Sequence, residues 1–314
     1  KGENVMSKVY DVIVLGAGPA GLAAGLYAGR SRLSTLVIEK GKDGGQIAIT
    51  DDIENYPGQI VEGESGPSLI ARMTQQCEKF GVERASDVIN EVHLDGDIKV
   101  LKSAKAEYQS KTVIIATGAF ARPIGCKGEK EFMGKGVSYC ATCDGAFFRN
   151  RTVAVIGGGD VAVEDAVFLS RMCSKVYLIH RRGELRAAKS LQNQLFSKEN
   201  VEILWNMQAQ AIEGNGTVER LILSENGTRK KKELSVQGVF IAVGIQPETK
   251  AFEGIVDMEQ GYIKAEEEGI TSAPGIFAAG DARTKKLRQI VTATADGANA
   301  VTSAEQYLSD LKRG

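Results

Sequence analysis

The sequence predicts an α/β protein made of two Rossmann-like, three-layer nucleotide-binding domains, with the second inserted in the first. A glycine-rich turn between an apolar run and a helix-compatible stretch occurs twice, and both copies keep the same spacing to their next strand. The chain has 314 residues, enough for two domains at about 100–200 residues each. Its 36 glycines are clustered, as expected where backbone must approach phosphate closely.

The first copy begins with the apolar run Val9–Leu15 and ends with a second apolar run, Ser34–Ile38. Between them lie a dinucleotide fingerprint and a stretch of small residues compatible with a helix. The first glycine permits a tight turn, the second lets backbone N–H groups approach a pyrophosphate, and the third allows close packing of helix and strand. Glu39 follows, where a carboxylate can accept hydrogen bonds from a ribose. The fingerprint consists of Gly16, Ala17, Gly18, Pro19, Ala20 and Gly21.

The second copy occupies residues 151–182 and repeats the order strand, turn, helix, strand. His180 follows Gly157 by 23 residues, the offset that also separates Glu39 from Gly16. Two fingerprints in register are a far more specific signal than a single one. The second motif is a GxGxxA variant and consists of Gly157, Gly158, Gly159, Asp160, Val161 and Ala162.

The residues at this shared offset differ in charge. The first copy offers Glu39, whereas the second offers His180, Arg181 and Arg182, with Arg186 close behind. Guanidinium groups make planar, often bidentate hydrogen bonds to phosphate, so we expect NADP(H) in the second site and an adenine dinucleotide with an unmodified ribose in the first. Two charge-assisted bonds of about 1.5–3 kcal/mol each would discriminate against NAD(H) by roughly a hundredfold or more. For His180, direct phosphate contact and simple packing at a strand end both stay open.

The domain boundaries are expected where two apolar runs close on turns. Thr112–Ile115 and Gly238–Val243 are these runs. They predict a discontinuous domain over residues 1–117 plus 247–314 and an inserted domain over 118–246, joined by a hinge. Elsewhere, residues 83–109 and 201–232 alternate apolar and polar side chains, which predicts small antiparallel sheets.

Charge, hydropathy and cysteine spacing argue against a nucleic-acid-binding, a membrane-bound or a secreted protein. The 39 basic and 40 acidic residues leave a net charge of −1, which gives no electrostatic reason to expect nucleic acid or an anionic membrane as partner. No apolar stretch reaches the roughly 18 residues of a membrane span. The five cysteines are irregularly spaced, unlike a secreted disulfide framework, so we expect a cytoplasmic location. Residues Lys1–Val5 precede the first methionine and are left out of the fold prediction.

Cys140 and Cys143 form the only close cysteine pair in the sequence. Two intervening residues let the sulfurs approach when Cys143 lies in the first turn of a helix, where the pKa of a thiol is lowered and a reactive thiolate is favoured. A zinc half-site, a structural disulfide and two inert buried thiols are the alternatives, but no second close pair offers further metal ligands. We favour a dithiol that cycles with its disulfide.

Asp144 directly follows the cysteine pair. A carboxyl group beside a thiolate has a raised pKa because like charges repel, so Asp144 could donate a proton to a leaving thiolate. The alternative is a simple helix N-cap, and the two roles are compatible. Cys77, Cys126 and Cys173 have no partner in the sequence and are treated as ordinary thiols.

An NADP(H) site, a second dinucleotide site and a redox dithiol require one mechanism. A flavin accepts hydride from nicotinamide and can reduce a disulfide, so we expect FAD in the first site and NADPH in the second. The nicotinamide site and the dithiol both belong to the inserted domain, and both must reach the flavin. We therefore expect the inserted domain to rotate about the hinge between half-reactions.

From Ser7 to Leu311 the chain resembles the bacterial-type, low-molecular-weight thioredoxin reductases, in motifs, order and spacing. One departure is Val161, where the family more often has Ser or Thr; the lost hydroxyl puts the affinity for pyrophosphate in doubt. The motifs are Gly-Ala-Gly-Pro-Ala-Gly (16–21), Gly-Gly-Gln-Ile (44–47), Glu-Asn-Tyr-Pro-Gly (54–58), Ala-Thr-Gly (116–118), Cys-Ala-Thr-Cys-Asp-Gly (140–145), Gly-Gly-Gly-Asp (157–160), His-Arg-Arg-x-x-x-Arg (180–186), Gly-Asp (280–281) and Arg-Gln-Ile (288–290).

The resemblance implies a homodimer with one FAD per chain that passes electrons from NADPH to the disulfide of a thioredoxin-like protein. It implies that Cys143 faces the flavin, that Cys140 attacks the partner disulfide and that Asp144 is the acid. Besides the first fingerprint, the implied FAD contacts are Glu39, Lys40, Gly45, Gln46, Ile47, Asn55, Gly280, Asp281, Arg288, Gln289 and Ile290. The implied NADPH contacts are Gly157, Gly159, Asp160, Ala162, His180, Arg181, Arg182 and Arg186; no metal is expected.

Two rival functions remain at this point. A ferredoxin-driven flavin thioredoxin reductase should need neither the second fingerprint nor the arginine cluster, and both are present. A non-catalytic FAD redox sensor is the alternative from a different class.

Overall fold

The computed structural model describes residues 8–50, 53–61, 63–228 and 230–313, so the segment Lys1–Val5 lies outside the described residues. Contacts divide the chain into two compact units. Unit 1 runs to Phe120 and resumes at Gln246, and unit 2 covers Ala121–Ile245.

The strands and helices of the described residues are given in chain order. The strands are Val9–Leu15 (β1), Thr35–Glu39 (β2), Glu83–Ser86 (β3), Ile89–His93 (β4), Lys99–Ser103 (β5), Glu107–Ile115 (β6), Ala119–Ala121 (β7), Val137–Ser138 (β8), Thr152–Gly157 (β9), Lys175–His180 (β10), Val201–Trp205 (β11), Met207–Glu213 (β12), Arg220–Glu225 (β13), Lys231–Ser235 (β14), Gly238–Ala242 (β15), Ile245–Pro247 (β16), Met258–Glu259 (β17), Tyr262–Ile263 (β18) and Ile276–Ala278 (β19). The α-helices are Pro19–Arg30 (α1), Gly66–Lys79 (α2), Ala141–Asp144 (α3), Asp160–Leu169 (α4), Lys189–Phe196 (α5) and Ile290–Leu311 (α6).

Unit 1 is built on a sheet with the order β3-β2-β1-β6-β5-β4, in which β19 also pairs with β6. Strands β3, β2, β1, β6 and β19 run parallel, and β4 and β5 join as an antiparallel pair. From Val12 to Leu15, β1 is buried, which explains why these four residues are all apolar. Because parallel strands share their carboxyl edge, the segments that follow β1, β2, β6 and β19 meet there.

Helices α1, α2 and α6 cover one face of this sheet. Helices α1 and α6 approach closely because their facing residues are small: a Cβ at Gly297 would lie 2.2 Å from the backbone oxygen of Ala20. The opposite face packs against Phe252, Val256 and Ile263. Unit 1 therefore has three layers, and its closest helix contact lies directly behind the first glycine turn.

Unit 2 is built on a fully parallel sheet with the order β11-β10-β9-β15-β8. Helices α4 and α5 pack on one face. The antiparallel sheet β12-β13-β14 covers the other face through Ile212, Leu221, Leu223 and Leu234. The predicted α/β fold class, with a three-layer arrangement around a wholly or mainly parallel sheet in both units, is confirmed.

Two segments differ from the antiparallel sheets predicted for residues 83–109 and 201–232. Glu83–Ser86 pairs in parallel with β2, and Val201–Trp205 pairs in parallel with β10. Each follows a helix that returns the chain along the sheet, and such a crossover produces a parallel neighbour. Only the later parts of both segments form the predicted antiparallel pairs.

The chain crosses between the units at β7 and β16, which pair with each other as a two-stranded sheet. None of the helices among the described residues is both long enough and apolar enough to span a bilayer.

Candidate active site

The first glycine turn follows β1 at the carboxyl edge of the unit 1 sheet. Gly16 has φ +104°, and a Cβ there would lie 2.4 Å from the backbone oxygen of Ala116. A Cβ at Gly21 would lie 1.8 Å from the oxygen of Gly16, whereas a Cβ at Gly18 would meet no atom within 4 Å. Gly16 and Gly21 therefore pack tightly against the protein, whereas Gly18 leaves open space, where a cofactor phosphate would approach the start of α1.

Glu39 lies at the end of β2 and is joined to this turn. Its carboxylate accepts hydrogen bonds from the N–H groups of Ala17 at 2.7 Å and Gly41 at 3.0 Å. A carboxylate can accept about four hydrogen bonds, so capacity remains for ribose hydroxyls. Lys40, the next residue, forms an ion pair with Glu248.

A cavity of about 400 Å³ opens beside this carboxylate within unit 1. It combines apolar walls with a few polar groups, the usual character of a small-molecule site. Lining residues include Gly16, Glu39, Lys40, Asp87, Thr117 and Phe252.

The loop 44–49 packs against the first turn. The N–H of Gly44 donates to the oxygen of Ala17 at 2.8 Å, and a Cβ at Gly45 would lie 3.9 Å from the Cα of Gly18. Gln46 is exposed and Ile47 is half-buried in the same 3-10 turn. The structure thus brings Gly45 beside Gly18, the open glycine of the fingerprint, with Gln46 and Ile47 following in the same 3-10 turn.

A further cluster of predicted cofactor contacts lies around the start of α6. The Nδ2 of Asn55 donates to Oε1 of Gln289 at 3.0 Å, and Gln289 is the N-cap residue of α6. The guanidinium of Arg288 lies 4.3 Å from the ring centroid of Tyr262. Ile290, the first residue of the helix, is buried.

Two buried polar side-chain atoms without a hydrogen-bond partner among the described residues lie in the segment that precedes α6. Within the described part of the chain, Oδ1 of Asp281 and Nε of Arg288 are buried without a hydrogen-bond partner. Burial raises the pKa of the Asp281 carboxyl, and the charges of Lys285 and Arg288 partly counteract it. Buried polar atoms are normally paired, so these two indicate that a further polar group belongs in unit 1. FAD, with its ribitol hydroxyls and pyrophosphate, fits that need.

The second glycine turn follows β9 in unit 2. A Cβ at Gly157 would lie 2.5 Å from the Cβ of Ala162 and 2.4 Å from the oxygen of Ala242. A Cβ at Gly159 would meet no atom within 4 Å. As in the first turn, the first glycine packs tightly against the protein, and Gly159 leaves free space where α4 begins. A pyrophosphate could bind in that space. Val161, the departure from the family pattern, is exposed there.

His180 packs inside the protein. It is 4% exposed, and its ring occupies the space that a Cβ at Gly158 would need, 2.1 Å from Nδ1. Burial lowers the pKa of His180, with backbone groups of Glu184 and Gly157 acting in the opposite direction. The ring therefore packs at the strand end as the packing alternative expects, while its Nε2 is buried without a hydrogen-bond partner among the described residues, so direct contact with the nucleotide stays open. Ala162 is likewise fully buried, because its methyl group fills the space between α4 and the turn.

Arg181, Arg182 and Arg186 are exposed in the loop that follows β10. The N–H of Arg186 donates to the oxygen of Gly158 at 2.8 Å. Asp160, expected from the resemblance to contact NADPH, accepts a hydrogen bond from the N–H of Ala188 at 2.7 Å. The loop is therefore fastened to the glycine turn, with its guanidinium groups in solvent.

Cys140 and Cys143 form a disulfide. The pair follows β8, so it lies at the same carboxyl edge of the unit 2 sheet as the second glycine turn. Cys140 is the N-cap residue of α3, and its Sγ accepts a hydrogen bond from the N–H of Cys143 at 3.2 Å. Cys143 thus lies in the first turn of a helix, where a helix N-terminus stabilises a thiolate. The described residues contain no group of three or more potential metal ligands.

Asp144 is the last residue of α3. It also occupies the N-cap position of the 3-10 turn Gly145–Phe148, where its side chain makes no capping hydrogen bond. The N-cap of α3 is Cys140 instead, so the capping alternative for Asp144 is not observed.

The other cysteines lie in apolar surroundings. Burial raises the pKa of Cys77, Cys126 and Cys173 to about 11 each. They are therefore protonated at neutral pH, unlike a reactive thiolate.

Two supporting side chains were missed by the sequence analysis. Asp296, buried in α6, accepts hydrogen bonds from the N–H of Gly280 at 2.9 Å and from Arg283 and Lys285. Glu129, 2% exposed, accepts a hydrogen bond at 2.7 Å from Tyr139, which precedes Cys140. An acidic residue among small apolar neighbours in a predicted helix was the available signal for Asp296. Glu129 lies in a segment rich in charged residues, so nothing in the sequence distinguished it.

Comparisons with known proteins agree with this geometry. The family model described as pyridine nucleotide-disulphide oxidoreductase matches residues 10–297. A thioredoxin reductase of Peptoclostridium litorale is 49% identical over 98% of this chain and 99% of its own length. One from Bacillus subtilis (strain 168) is 49% identical over 97% and 96%.

Solved structures agree as well. The crystal structure of thioredoxin reductase from Streptococcus pyogenes MGAS5005 has a TM-score of 0.92 at 43% identity, and the match covers 96% of this chain and 99% of that one. The chain therefore belongs to the pyridine nucleotide-disulphide oxidoreductase family and, within it, to the thioredoxin reductases.

Proposed function

We infer that this chain is an NADPH-dependent thioredoxin-disulfide reductase that uses FAD and the cysteine pair Cys140–Cys143. One observation carries the inference: unit 2 holds a redox disulfide at the same sheet edge as an arginine-flanked nucleotide turn. The chain is also 49% identical to thioredoxin reductases over almost its full length. A ferredoxin-driven enzyme would not need to bind NADPH, so that alternative does not explain the second glycine turn and its arginines.

We propose that unit 1 is the FAD-binding domain. When bound, FAD supplies a two-electron carrier that links a hydride donor to a disulfide. The amides at the start of α1 would bind its pyrophosphate, and Glu39 would accept hydrogen bonds from ribose. Asp281 and Arg288 bring buried atoms that lack partners among the described residues, and Asn55 and Gln289 join two loops at the start of α6.

We propose that unit 2 is the NADPH-binding domain. Amides at the start of α4 would bind the pyrophosphate, and Gly159 leaves the space for it. Arg181, Arg182 and Arg186 would bind the phosphate on the adenosine ribose, because exposed guanidinium groups form bidentate hydrogen bonds with phosphate. His180 supports the turn from inside.

The reduced cysteine pair would transfer its electrons by thiol–disulfide exchange. The thiolate of Cys140 attacks one sulfur of the thioredoxin disulfide and forms a mixed disulfide, while the other thioredoxin sulfur leaves as a thiolate. Cys143 then attacks the sulfur of Cys140, which re-forms the Cys140–Cys143 disulfide and releases reduced thioredoxin. Asp144 is proposed to donate the proton that neutralises a leaving thiolate.

Three further properties are proposals. Rotation of unit 2 about the paired strands β7 and β16 would let nicotinamide and disulfide reach the flavin in turn. A homodimer would cover apolar surface of unit 1, where Val61 is 90% and Ile60 is 50% exposed. A cytoplasmic location suits a dithiol that must be kept reduced.

The direct experiment measures NADPH oxidation by the FAD-loaded protein in the presence of a purified bacterial thioredoxin. We expect turnover only when NADPH, thioredoxin and an intact cysteine pair are all present. Turnover with reduced ferredoxin but not with NADPH would support the ferredoxin-driven alternative. An absence of turnover with either donor would support a redox sensor.

A further inference from the structure

Two asparagines outside the glycine turn hold the loop that carries the arginines. We propose that Asn206 and Asn226 are positioning residues for NADPH recognition: they fix the backbone of Arg181 and Arg182, and through it the preference for the phosphorylated nicotinamide cofactor. The proposal rests on the proposed function of unit 2 as the NADPH-binding domain. It concerns residues that neither the fingerprint nor the family motifs include.

Asn226 lies at the tip of the hairpin between β13 and β14. Its side-chain Nδ2 donates a hydrogen bond to the backbone oxygen of Arg181 at 2.6 Å. The hairpin turn is closed by the N–H of Thr228, which donates to the oxygen of Glu225 at 3.2 Å. The carbonyl of Arg181 is therefore fastened to a short closed turn.

Asn206 lies between β11 and β12 with φ +57°, a left-handed conformation that asparagine adopts more readily than most residues. In this conformation its N–H donates to the oxygen of Arg182 at 3.4 Å, and its own carbonyl accepts the N–H of Asn226 at 2.8 Å. Three hydrogen bonds thus form a closed circuit through Arg181, Arg182 and the two asparagines.

The far end of the loop is fastened to the glycine turn through Arg186 and Ala188. The guanidinium groups of the arginines are exposed, so their backbone alone is held in place. Ordering a long side chain on binding costs about 0.5–1.5 kcal/mol. A loop that already presents the arginines side by side leaves only the side chains to be ordered when the phosphate binds. Release of the loop at Arg181 would add backbone ordering to that cost.

The substitution Asn226→Ala tests this idea. In the FAD-loaded protein, with ferricyanide as acceptor so that the cysteine pair is not needed, we expect kcat/KM for NADPH to fall about three- to tenfold. The value for NADH and the kcat at saturating NADPH should stay within about twofold, since the rest of the nucleotide is bound elsewhere. Gln210→Ala is the matched control, because Gln210 is an exposed amide on the same sheet that bonds Ser224 rather than the loop.

Asn206 offers a complementary pair of substitutions, because its hydrogen bonds to Arg182 and Asn226 are made by its backbone. Asn206→Gly keeps the positive φ available and should leave the ratio of NADPH to NADH kcat/KM within about twofold of the parent. Asn206→Val disfavours that conformation and should lower the ratio as Asn226→Ala does.

An unchanged cofactor ratio in Asn226→Ala would overturn the proposal, provided that Arg181→Ala with Arg182→Ala lowers the ratio in the same assay. A fall of NADPH and NADH values by equal factors would overturn it too, because that pattern reports general damage to unit 2. If the double arginine variant also leaves the ratio unchanged, Arg181 and Arg182 do not recognise the phosphate, and the positioning role of the asparagines fails with them.

Discussion

The two glycine turns share a motif plan but differ at its last position, where unit 1 requires glycine and unit 2 has alanine. In unit 1, the third motif residue must be glycine because a Cβ at Gly21 would lie 1.8 Å from the oxygen of Gly16. In unit 2, the corresponding residue is Ala162, and a Cβ at Gly157 would lie 2.5 Å from its methyl group and 2.4 Å from the oxygen of Ala242. The first glycine has φ +104° in unit 1 and +159° in unit 2. The same motif thus encodes two turns that differ in backbone conformation and in packing at the last position.

The turns also differ in how their selective charges are held. Glu39 accepts hydrogen bonds from backbone amides of its own turn and is half-buried, whereas Arg181 and Arg182 are exposed on a loop. A fixed, shielded carboxylate suits a cofactor that stays bound. Exposed cations suit a nucleotide that must arrive and leave during each turnover. The difference between the units is therefore consistent with one prosthetic group and one exchanging substrate.

The largest effect is expected from removal of one thiol in unit 2. Cys143→Ser should abolish thioredoxin reduction, because Cys140 then has no partner with which to re-form a disulfide. The rate of flavin reduction by NADPH should stay within about twofold, since both nucleotide turns are untouched. Stopped-flow absorbance at the flavin band and a thioredoxin turnover assay measure the two steps. Loss of both steps together would contradict the division of roles.

The next effect sharpens the contrast between the turns. Gly21→Ala should destabilise unit 1 by more than about 4 kcal/mol, because the new methyl group meets a backbone oxygen that cannot move aside. The reciprocal change, Ala162→Gly in unit 2, should cost only about 1–2 kcal/mol, from a lost buried methyl group and the lower helix propensity of glycine. Urea denaturation and retained flavin measure both. Equal costs would show that the turns are not packed differently.

The third effect concerns the charge difference. Arg181→Ala with Arg182→Ala should lower kcat/KM for NADPH by roughly a hundredfold, with a far smaller change for NADH, because two charge-assisted hydrogen bonds to phosphate are lost. Steady-state kinetics with both cofactors decide the matter. Arg171→Ala, an exposed arginine of unit 2 outside the loop, is the control. Equal losses for NADPH and NADH would mean that these arginines do not recognise the phosphate.

The smallest effect is expected from the buried carboxyl group of Asp281. Burial raises the pKa of this carboxyl, so ionisation destabilises the folded, flavin-free protein, and that penalty grows as the pH rises above the ordinary aspartate value of 3.8. Asp281→Asn should therefore stabilise the flavin-free protein at neutral pH, with the gain disappearing in acid. Urea denaturation at several pH values measures it, with the exposed Asp257→Asn as control. A gain that does not depend on pH would exclude ionisation as its cause.

Local sequence signals predicted most of the fold and the chemical centre. The strand Val9–Leu15 and the helical character of residues 292–308 reappear in β1 and α6, because continuous apolar runs and Ala-rich stretches determine structure locally. The cysteine pair was evident for the same reason: its chemistry lies in four consecutive residues.

What depends on distant contacts could not be predicted. Glu83–Ser86 and Val201–Trp205 are short strands whose direction is set by the helix before them rather than by their own residues. The packing of His180 on Gly158 and the hydrogen bond that the N–H of Ala188 donates to Asp160 require the folded loop. The circuit through Asn206 and Asn226 joins three separate turns, which no single sequence window contains.

The central claim is that electrons pass from NADPH through the flavin to Cys140 and Cys143. Anaerobic titration of the FAD-loaded protein with NADPH tests it most directly, with a Cys140→Ser, Cys143→Ser double variant titrated in parallel. We predict that the parent takes up one more electron pair per chain than the variant, because its disulfide is reduced in addition to the flavin. Equal uptake by the two proteins, or a flavin band that NADPH does not bleach, would contradict the account.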